Sequence, residues 1–281
     1  MSGARAQLKS AFAHALKACD GYARVAEKCK QTSLAGAIYI LALGKASGAM
    51  YRAARDGLGS QVRCSLVISL QAIEVDSNGV NVISDHPLVT ERSLAAGAQV
   101  LKFVHEIPPG STLLVLLSGG ASAMCEALPE SVAYEEFRDL GQYLLQSNLA
   151  IQEVNAVRQS LSLIKNGRLA KDVKSSISIV QWILSDVAED DIAIIGSAPF
   201  VERAPFALPA LTQNFVRMVA LAQMNLRRFA HVPMPPVQTT VLAGNSYACQ
   251  AVTDWANSQN LPVTARSAYG ELSLIHISEP T

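Results

Sequence analysis

Short apolar runs alternate along the chain with longer segments in which apolar residues recur every three or four positions. A short apolar run bounded by glycine or polar residues predicts a strand buried on both faces, and the longer periodicity predicts a helix. Strands are predicted near 37–43, 64–69, 79–84, 112–117, 178–184 and 239–243, and helices over 45–56, 90–105, 132–146, 150–164, 208–229 and 246–258. This alternation is typical of an α/β protein with a doubly wound, Rossmann-like and mostly parallel sheet that carries helices on both faces.

The N-terminal segment shows helical spacing clearly. Leu8, Phe12 and Leu16 are four residues apart, and Ala23 and Ala26 continue the pattern. Residues with this spacing share one face of a helix. We therefore expect one long first helix.

Composition and charge narrow the class of protein and its partners. The chain has 281 residues, of which 50% are hydrophobic and 16% charged, so it is able to bury a large core. Lys plus Arg equals Asp plus Glu at 23 each. The sequence therefore has no net basic charge to attract nucleic acid or an acidic membrane surface, and we expect neither partner.

Cysteine usage and hydropathy predict a cytoplasmic protein. The five cysteines have neither CxxC spacing nor histidines at metal-ligand intervals, so we expect reduced thiols. No apolar run approaches the roughly 18 residues that a bilayer crossing requires. The N-terminus has a mixed-charge amphipathic pattern, which differs from that of a signal peptide.

The segment LLVLLSGGASAM (113–124) joins a buried strand to a glycine-rich turn. Gly119 and Gly120 let the main chain approach a ligand closely, and a helix beginning near Ser122 directs free backbone N–H groups at an anion. With Ser118, these residues are candidate ligands of a phosphate or a substrate carboxylate. An ordinary strand-to-helix turn explains the same residues without a ligand.

Several further motifs follow one another in the order of a known family. They are AIYILALGKASGAM (37–50), SDHPLVTERS (84–93), NAVRQSLSLIKNGRLA (155–170), WILSDVAEDDIAIIGSAP (182–199) and VLAGNSYACQAV (241–252). Together with the glycine-rich turn, they resemble the glycerate 2-kinase family, the class that carries a C-terminal MOFRL domain. The resemblance extends from about residue 5 to Glu271.

The resemblance also implies a domain organisation. Residues 1–271 are expected to form an N-terminal α/β glycerate-kinase-like domain, in which 231–238 is either a linker or the loop into the last strand. LSLIHISEPT (272–281) looks like the translation of a sequencing adapter and is expected to be a non-native tail; a short terminal strand is the alternative. Because the family continues past this point, we expect a truncated gene product that lacks the MOFRL-like domain and is inactive alone.

The activity implied by the resemblance is ATP- and Mg²⁺-dependent phosphorylation of D-glycerate to 2-phosphoglycerate, with transfer of the γ-phosphate to the 2-hydroxyl. Lys45 matches a lysine in the family's active site; a solvated lysine at a helix start is the alternative, although cations disfavour that position. The turn is not a P-loop, because Tyr39 and Ala46 replace the first glycine and the hydroxyl residue of that motif.

Metal ligands are the next requirement of phosphoryl transfer. Asp186 follows a predicted strand, and Asp190 and Asp191 are close behind, so the three offer oxygen ligands for Mg²⁺. Helix capping and loop solvation are the alternative roles. His86 also follows a predicted strand, and a lone histidine of this kind is more often structural.

Cations for the substrate are predicted on one basic face. Arg158, Lys165 and Arg168 are candidates to bind the glycerate carboxylate or a phosphate, and arginine does so through a bidentate fork. Cations on a helix surface are the alternative.

Three positions depart from the family pattern by replacing a glycine. They are Asn166, Glu189 and Ala198. Where such a position needs positive φ, a side chain costs about 1 kcal/mol or more, although asparagine tolerates the left-handed region. A divergent or weakened member of the family is therefore an open alternative.

Rival functions come from other classes. Members of the family are often labelled hydroxypyruvate reductase, but a dinucleotide site needs G-x-G-x-x-G and the turn reads GKASG (44–48). A serine hydrolase is suggested by Ser122 followed by Asp186 and His231, but Met124 stands where the nucleophile turn needs a small residue. A non-catalytic fragment or a divergent small-anion-binding protein is the third alternative.

Overall fold

The computed structural model describes residues 2–204 and 207–263. The tail predicted at 272–281 and the domain boundary at Glu271 lie outside the described residues. Over the described ranges, no helix is both long enough and apolar enough to cross a membrane.

A single parallel sheet organises the described part of the chain. Its strands are β1 (Ile38–Leu43), β2 (Val62–Ser69), β3 (Gly79–Ile83), β4 (Thr112–Ser118), β5 (Ser178–Leu184) and β6 (Val237–Ala243). They lie in the order β3-β2-β1-β4-β5-β6, and every neighbouring pair is parallel. The predicted doubly wound sheet is confirmed, and each predicted strand is present. The last strand begins inside the segment 231–238.

Helices occupy most of the segments between the strands, as the periodicity predicts. They are α1 (Ser2–Ala18), α2 (Gly21–Gln31), α3 (Ser47–Leu58), α4 (Glu91–Glu106), α5 (Ala121–Met124), α6 (Tyr134–Gln146), α7 (Ile151–Gln159), α8 (Arg168–Asp172), α9 (Gln213–Leu226) and α10 (Asn245–Ser258). The helix predicted over 150–164 ends at Gln159, because the chain turns there and brings Ser162 and Lys165 into the core.

The prediction of one long first helix is wrong. The chain breaks after α1, and the side chain of Asp20 accepts a hydrogen bond from the Ala23 backbone N–H at 2.7 Å, which caps α2. Leu8, Phe12 and Leu16 do share a face, but their side chains are 72%, 64% and 57% exposed. The opposite side of α1 packs against α10 instead.

Apolar layers cover both faces of the sheet. On one face, Met50 and Tyr51 of α3 pack with Trp182 of β5. On the other, Val100 of α4 packs with Leu113 of β4. A separate apolar cluster joins α6, α7 and α9 beside the sheet. The carboxyl ends of the strands are left for the loops that carry the candidate residues.

Candidate functional site

The turn after β1 and the turn after β4 are hydrogen-bonded to each other. The Lys45 backbone N–H donates to the Gly119 carbonyl at 2.9 Å, and the Ala46 N–H donates to the Ser118 hydroxyl at 3.0 Å. Gly44 has φ +111°, and a Cβ there would overlap Ser118. These strands are neighbours at the point where the strand order reverses, which is where α/β sheets bind ligands.

Four chemical groups, from five residues, meet at this strand end. A Cβ added to Gly120 would lie 3.1 Å from Lys45 Cε and 3.0 Å from His86 Cδ2, so both side chains pack against the bare glycine. A Cβ added to Gly119 would overlap the Asp186 carboxylate. Turns after β1, β3, β4 and β5 therefore bring a cation, an imidazole, an open backbone and a carboxylate together.

Burial and the neighbouring Lys45 charge favour the neutral form of His86. Burial lowers the pKa of this imidazole below its usual value, the Lys45 ammonium lowers it further, and the Asp186 carboxylate opposes both. Near pH 7 the ring is therefore able to accept a hydrogen bond or a proton. Its position after a strand was visible in the sequence, but nothing there showed that it faces Lys45.

The two serines of the glycine-rich turn have internal partners. Ser118 is buried, accepts from Ala46 and donates to the Leu43 carbonyl at 3.3 Å. The Ser122 hydroxyl is 2.7 Å from that of Ser197. In this arrangement both hydroxyls hold neighbouring segments together. Gly119 and Gly120 are half-buried, and the absence of a Cβ there makes room for Asp186, Lys45 and His86.

The helix expected near Ser122 is present but short. It is α5, a single turn that begins at Ala121, and Gly120 precedes it with φ +86°. One helical turn has only a small dipole, since the macrodipole is a sum over aligned peptide units. Any anion at this turn would therefore depend on backbone access and on Lys45.

The predicted basic face is not formed, because its three members lie in different environments. Lys165 is fully buried and ion-paired with Glu126. Arg168 donates to the carbonyls of Gln159 and Ser162 at 2.6 and 2.9 Å, which joins a loop to α8. Arg158 lines an apolar cavity of about 170 Å³, where burial lowers the pKa of its guanidinium.

The predicted group of three metal-binding aspartates is also separated. Asp190 accepts from the Ser246 hydroxyl at 3.3 Å, and Asp191 caps the Ala193 N–H at 2.9 Å. Among the residues that the structure describes, no three His, Cys, Asp or Glu side chains are placed to hold a metal ion. Of the three aspartates, Asp186 is the one that reaches the glycine-rich turn.

The hydrolase alternative does not fit this geometry. The Ser122 hydroxyl is paired with a serine, whereas His231 is an exposed residue beyond the end of α9. Asp186 lies instead with Lys45 and His86. The serine, histidine and aspartate that the chain order suggested are not brought together as a nucleophile and its base.

The positions that lack the family's glycines are all left-handed. Asn166 has φ +52°, Glu189 +60° and Ala198 +55°. Residues with a Cβ are disfavoured in this region by about 1 kcal/mol or more. The substitutions at Glu189 and Ala198 therefore store backbone strain in the two loops that follow β5.

The strain at residue 189 has a measurable consequence. We expect Glu189→Gly to have a free energy of unfolding about 1 kcal/mol higher than Glu189→Ala. Both variants lose the carboxylate and its interactions, so their difference reports the left-handed backbone. Urea denaturation followed by circular dichroism measures it. Equal stability of the two variants would show that the loop is unstrained.

Comparisons with known proteins agree with the fold and the motifs. The model described as Domain of unknown function (DUF4147) matches residues 7–220. The chain is 26% identical over 261 residues to the glycerate 2-kinase of Pyrococcus horikoshii, covering 86% of this chain and 57% of that protein. It is 40% identical over 161 residues to the glycerate 2-kinase of Sulfurisphaera tokodaii, covering 57% of this chain and 39% of that protein.

Two further comparisons are with a relative that carries a different enzyme name and with a solved structure. An Agrobacterium vitis protein provisionally named hydroxypyruvate reductase is 33% identical over 247 residues, covering 77% of this chain and 64% of that protein. The crystal structure of a Thermotoga maritima glycerate kinase superposes with a TM-score of 0.76 at 23% identity, covering 92% of this chain and 63% of that one. The chain thus spans less than two thirds of each of these relatives.

Proposed function

Since the chain belongs to the DUF4147 family, in which it resembles named glycerate 2-kinases, we propose that it is a glycerate 2-kinase. The reaction is transfer of the γ-phosphate of ATP to the 2-hydroxyl of D-glycerate. The observation that carries the proposal is the meeting of Lys45 with the bare backbone of Gly119 and Gly120 at the switch point of the sheet.

Lys45 supplies the positive charge of this site. Its side chain is exposed and packs against Gly120, so the ammonium has access to a bound phosphate. In phosphoryl transfer, positioning and charge stabilisation supply most of the catalysis. The neutral His86 ring faces the same space and is able to accept a hydrogen bond from the substrate hydroxyl.

Asp186 is the residue that suits Mg²⁺. The ion is commonly held by one or two carboxylates together with substrate phosphates. The Asp186 carboxylate lies against Gly119, where any side chain would overlap it, so carboxylate and open backbone share one space. When bound there, Mg²⁺ neutralises charge on the transferring phosphoryl group.

The sheet order alone does not separate a kinase from a dinucleotide-dependent reductase, because dinucleotide-binding enzymes share it. The turn after β1 favours the kinase, since it reads GKASG (44–48) and lacks the dinucleotide fingerprint. Lys45 occupies the point where a reductase needs close contact between backbone and pyrophosphate. We also propose that the reaction takes place in the cytoplasm; five cysteines that are not paired with one another are compatible with that compartment.

The test of the proposed function compares kinase and reductase chemistry on the same preparation. The relatives are longer than this chain, so the assay uses a full-length protein that contains it. We expect that protein to bind MgATP by calorimetry and to form ADP and 2-phosphoglycerate from D-glycerate, as read by ³¹P NMR. We expect no oxidation of NADH with hydroxypyruvate. The reverse pattern would replace the kinase with the reductase, and nucleotide binding without transfer would leave an anion-binding protein.

A further inference from the structure

A buried ion pair lies directly behind the glycine-rich turn. Lys165 is 1% exposed and Glu126 0%, and the Lys165 ammonium donates to the Glu126 carboxylate. The other carboxylate oxygen accepts from the Ser162 hydroxyl at 2.5 Å and from the Ala127 N–H at 3.0 Å. Both charges are therefore removed from solvent, with their hydrogen bonds satisfied within the protein.

The same ammonium also reaches the turn itself. Lys165 Nζ donates to the backbone carbonyl of Ser122 at 3.0 Å. Ser122 follows Gly119 and Gly120 by a few residues, so this hydrogen bond fixes the turn from its core side. The Ser122 hydroxyl is held in addition by Ser197 at 2.7 Å. These two hydrogen bonds at Ser122 therefore hold the glycine-rich turn from the side of the core.

The stability of the fold does not by itself explain such a pair. Replacing both partners of a buried ion pair by apolar residues of similar volume is often neutral or stabilising, because the desolvation penalty disappears with the charges. An apolar side chain at 165 could fill the space, but it could not donate to the Ser122 carbonyl. The hydrogen bond to the turn is what the charged pair adds.

We propose that Lys165 is a positioning residue, which holds the backbone at Gly119 and Gly120 in the conformation that receives the nucleotide phosphates. Glu126 compensates its charge in the core, and Ser162 orients Glu126. This inference rests on the proposed function, in that the turn is taken to bind phosphate. It changes the role of Lys165 from a ligand of the substrate to a support of the backbone behind it.

The test removes both charges together. The double variant Lys165→Met/Glu126→Leu keeps the approximate volume and removes both charges of the pair, so neither member is left without the other in the core. A matched control is Lys171→Met/Glu202→Leu, since Lys171 is also a largely buried lysine with a glutamate partner, 2.6 Å away, but lies on α8. Each protein is assayed for thermal unfolding, for binding of MgADP, and for hydrogen exchange of the peptide 118–124.

We expect the Lys165 double variant to unfold at a lower temperature than the wild type, because Ser162 and the Ala127 N–H lose their acceptor and the Ser122 carbonyl loses its donor. At a temperature at which it is fully folded, it should bind MgADP about tenfold more weakly or worse and exchange faster over 118–124. The control should bind MgADP as the wild type does. Wild-type affinity and exchange in a stable Lys165 double variant would overturn the inference and leave the pair a structural feature.

A second variant covers the case in which the double variant does not fold. Lys165→Met/Glu126→Gln carries no charge, keeps an amide oxygen that can accept from Ser162 and the Ala127 N–H, and removes the donor to the Ser122 carbonyl. Wild-type affinity and exchange in this variant would again overturn the inference. If the wild-type protein itself fails to bind MgADP, the proposed function is overturned, and the exchange data separately show whether Lys165 holds the turn.

Discussion

Replacing Lys45 by methionine should lower the rate of phosphate transfer by a factor of about 100 or more, with little change in stability. Methionine keeps the apolar stem that packs against Gly120 and removes only the charge. The side chain is exposed, and none of the ion pairs among the described residues involves it, so the fold does not depend on the ammonium.

The measurement is the initial rate of glycerate-dependent ADP formation, together with MgADP affinity and unfolding temperature. Lys102→Met is the matched control, because Lys102 is another exposed lysine, on α4, whose contact with Glu106 at 3.9 Å is a surface pair. The control should keep full activity. A Lys45→Met protein with wild-type rate and affinity would remove Lys45 from the active site.

The strands and most helices could be predicted from the sequence, because the residues that determine each of them are neighbours along the chain. A short, fully apolar stretch such as 113–117, ended by polar and glycine residues, is typical of a strand covered on both faces. The break between α1 and α2 was missed although Asp20 is a typical cap, because the apolar spacing continues across it. Spacing gives the face of a helix, but not whether the rest of the fold covers that face.

Only part of the candidate site could be predicted from the sequence. Glycines after a strand predict an open backbone, and Lys45 after a neighbouring strand end predicts a charge beside it. The role of Lys165 was not visible, because its partner Glu126 is 39 residues away. A lysine followed by Asn166, Gly167 and Arg168 looks like a surface cation. Only the tertiary structure shows that it is buried.

Two glycine-to-alanine substitutions within helices should change stability in opposite directions. On α4, a Cβ at Gly97 would overlap the Glu126 carbonyl and lie 3.1 Å from the Ala127 nitrogen. Both obstacles are backbone, so Gly97→Ala should lower the free energy of unfolding by about 1–3 kcal/mol despite the better helix propensity of alanine. It should also shift Glu126, and so weaken MgADP binding through Lys165.

On α6, a Cβ at Gly141 meets nothing within 4 Å. With no steric cost, Gly141→Ala should raise the free energy of unfolding by about 0.5–1 kcal/mol, because alanine loses less conformational entropy on folding. Urea denaturation of both variants measures whether each substitution raises or lowers the free energy of unfolding. A stabilised Gly97→Ala protein would mean that α4 does not approach the backbone at Glu126 closely.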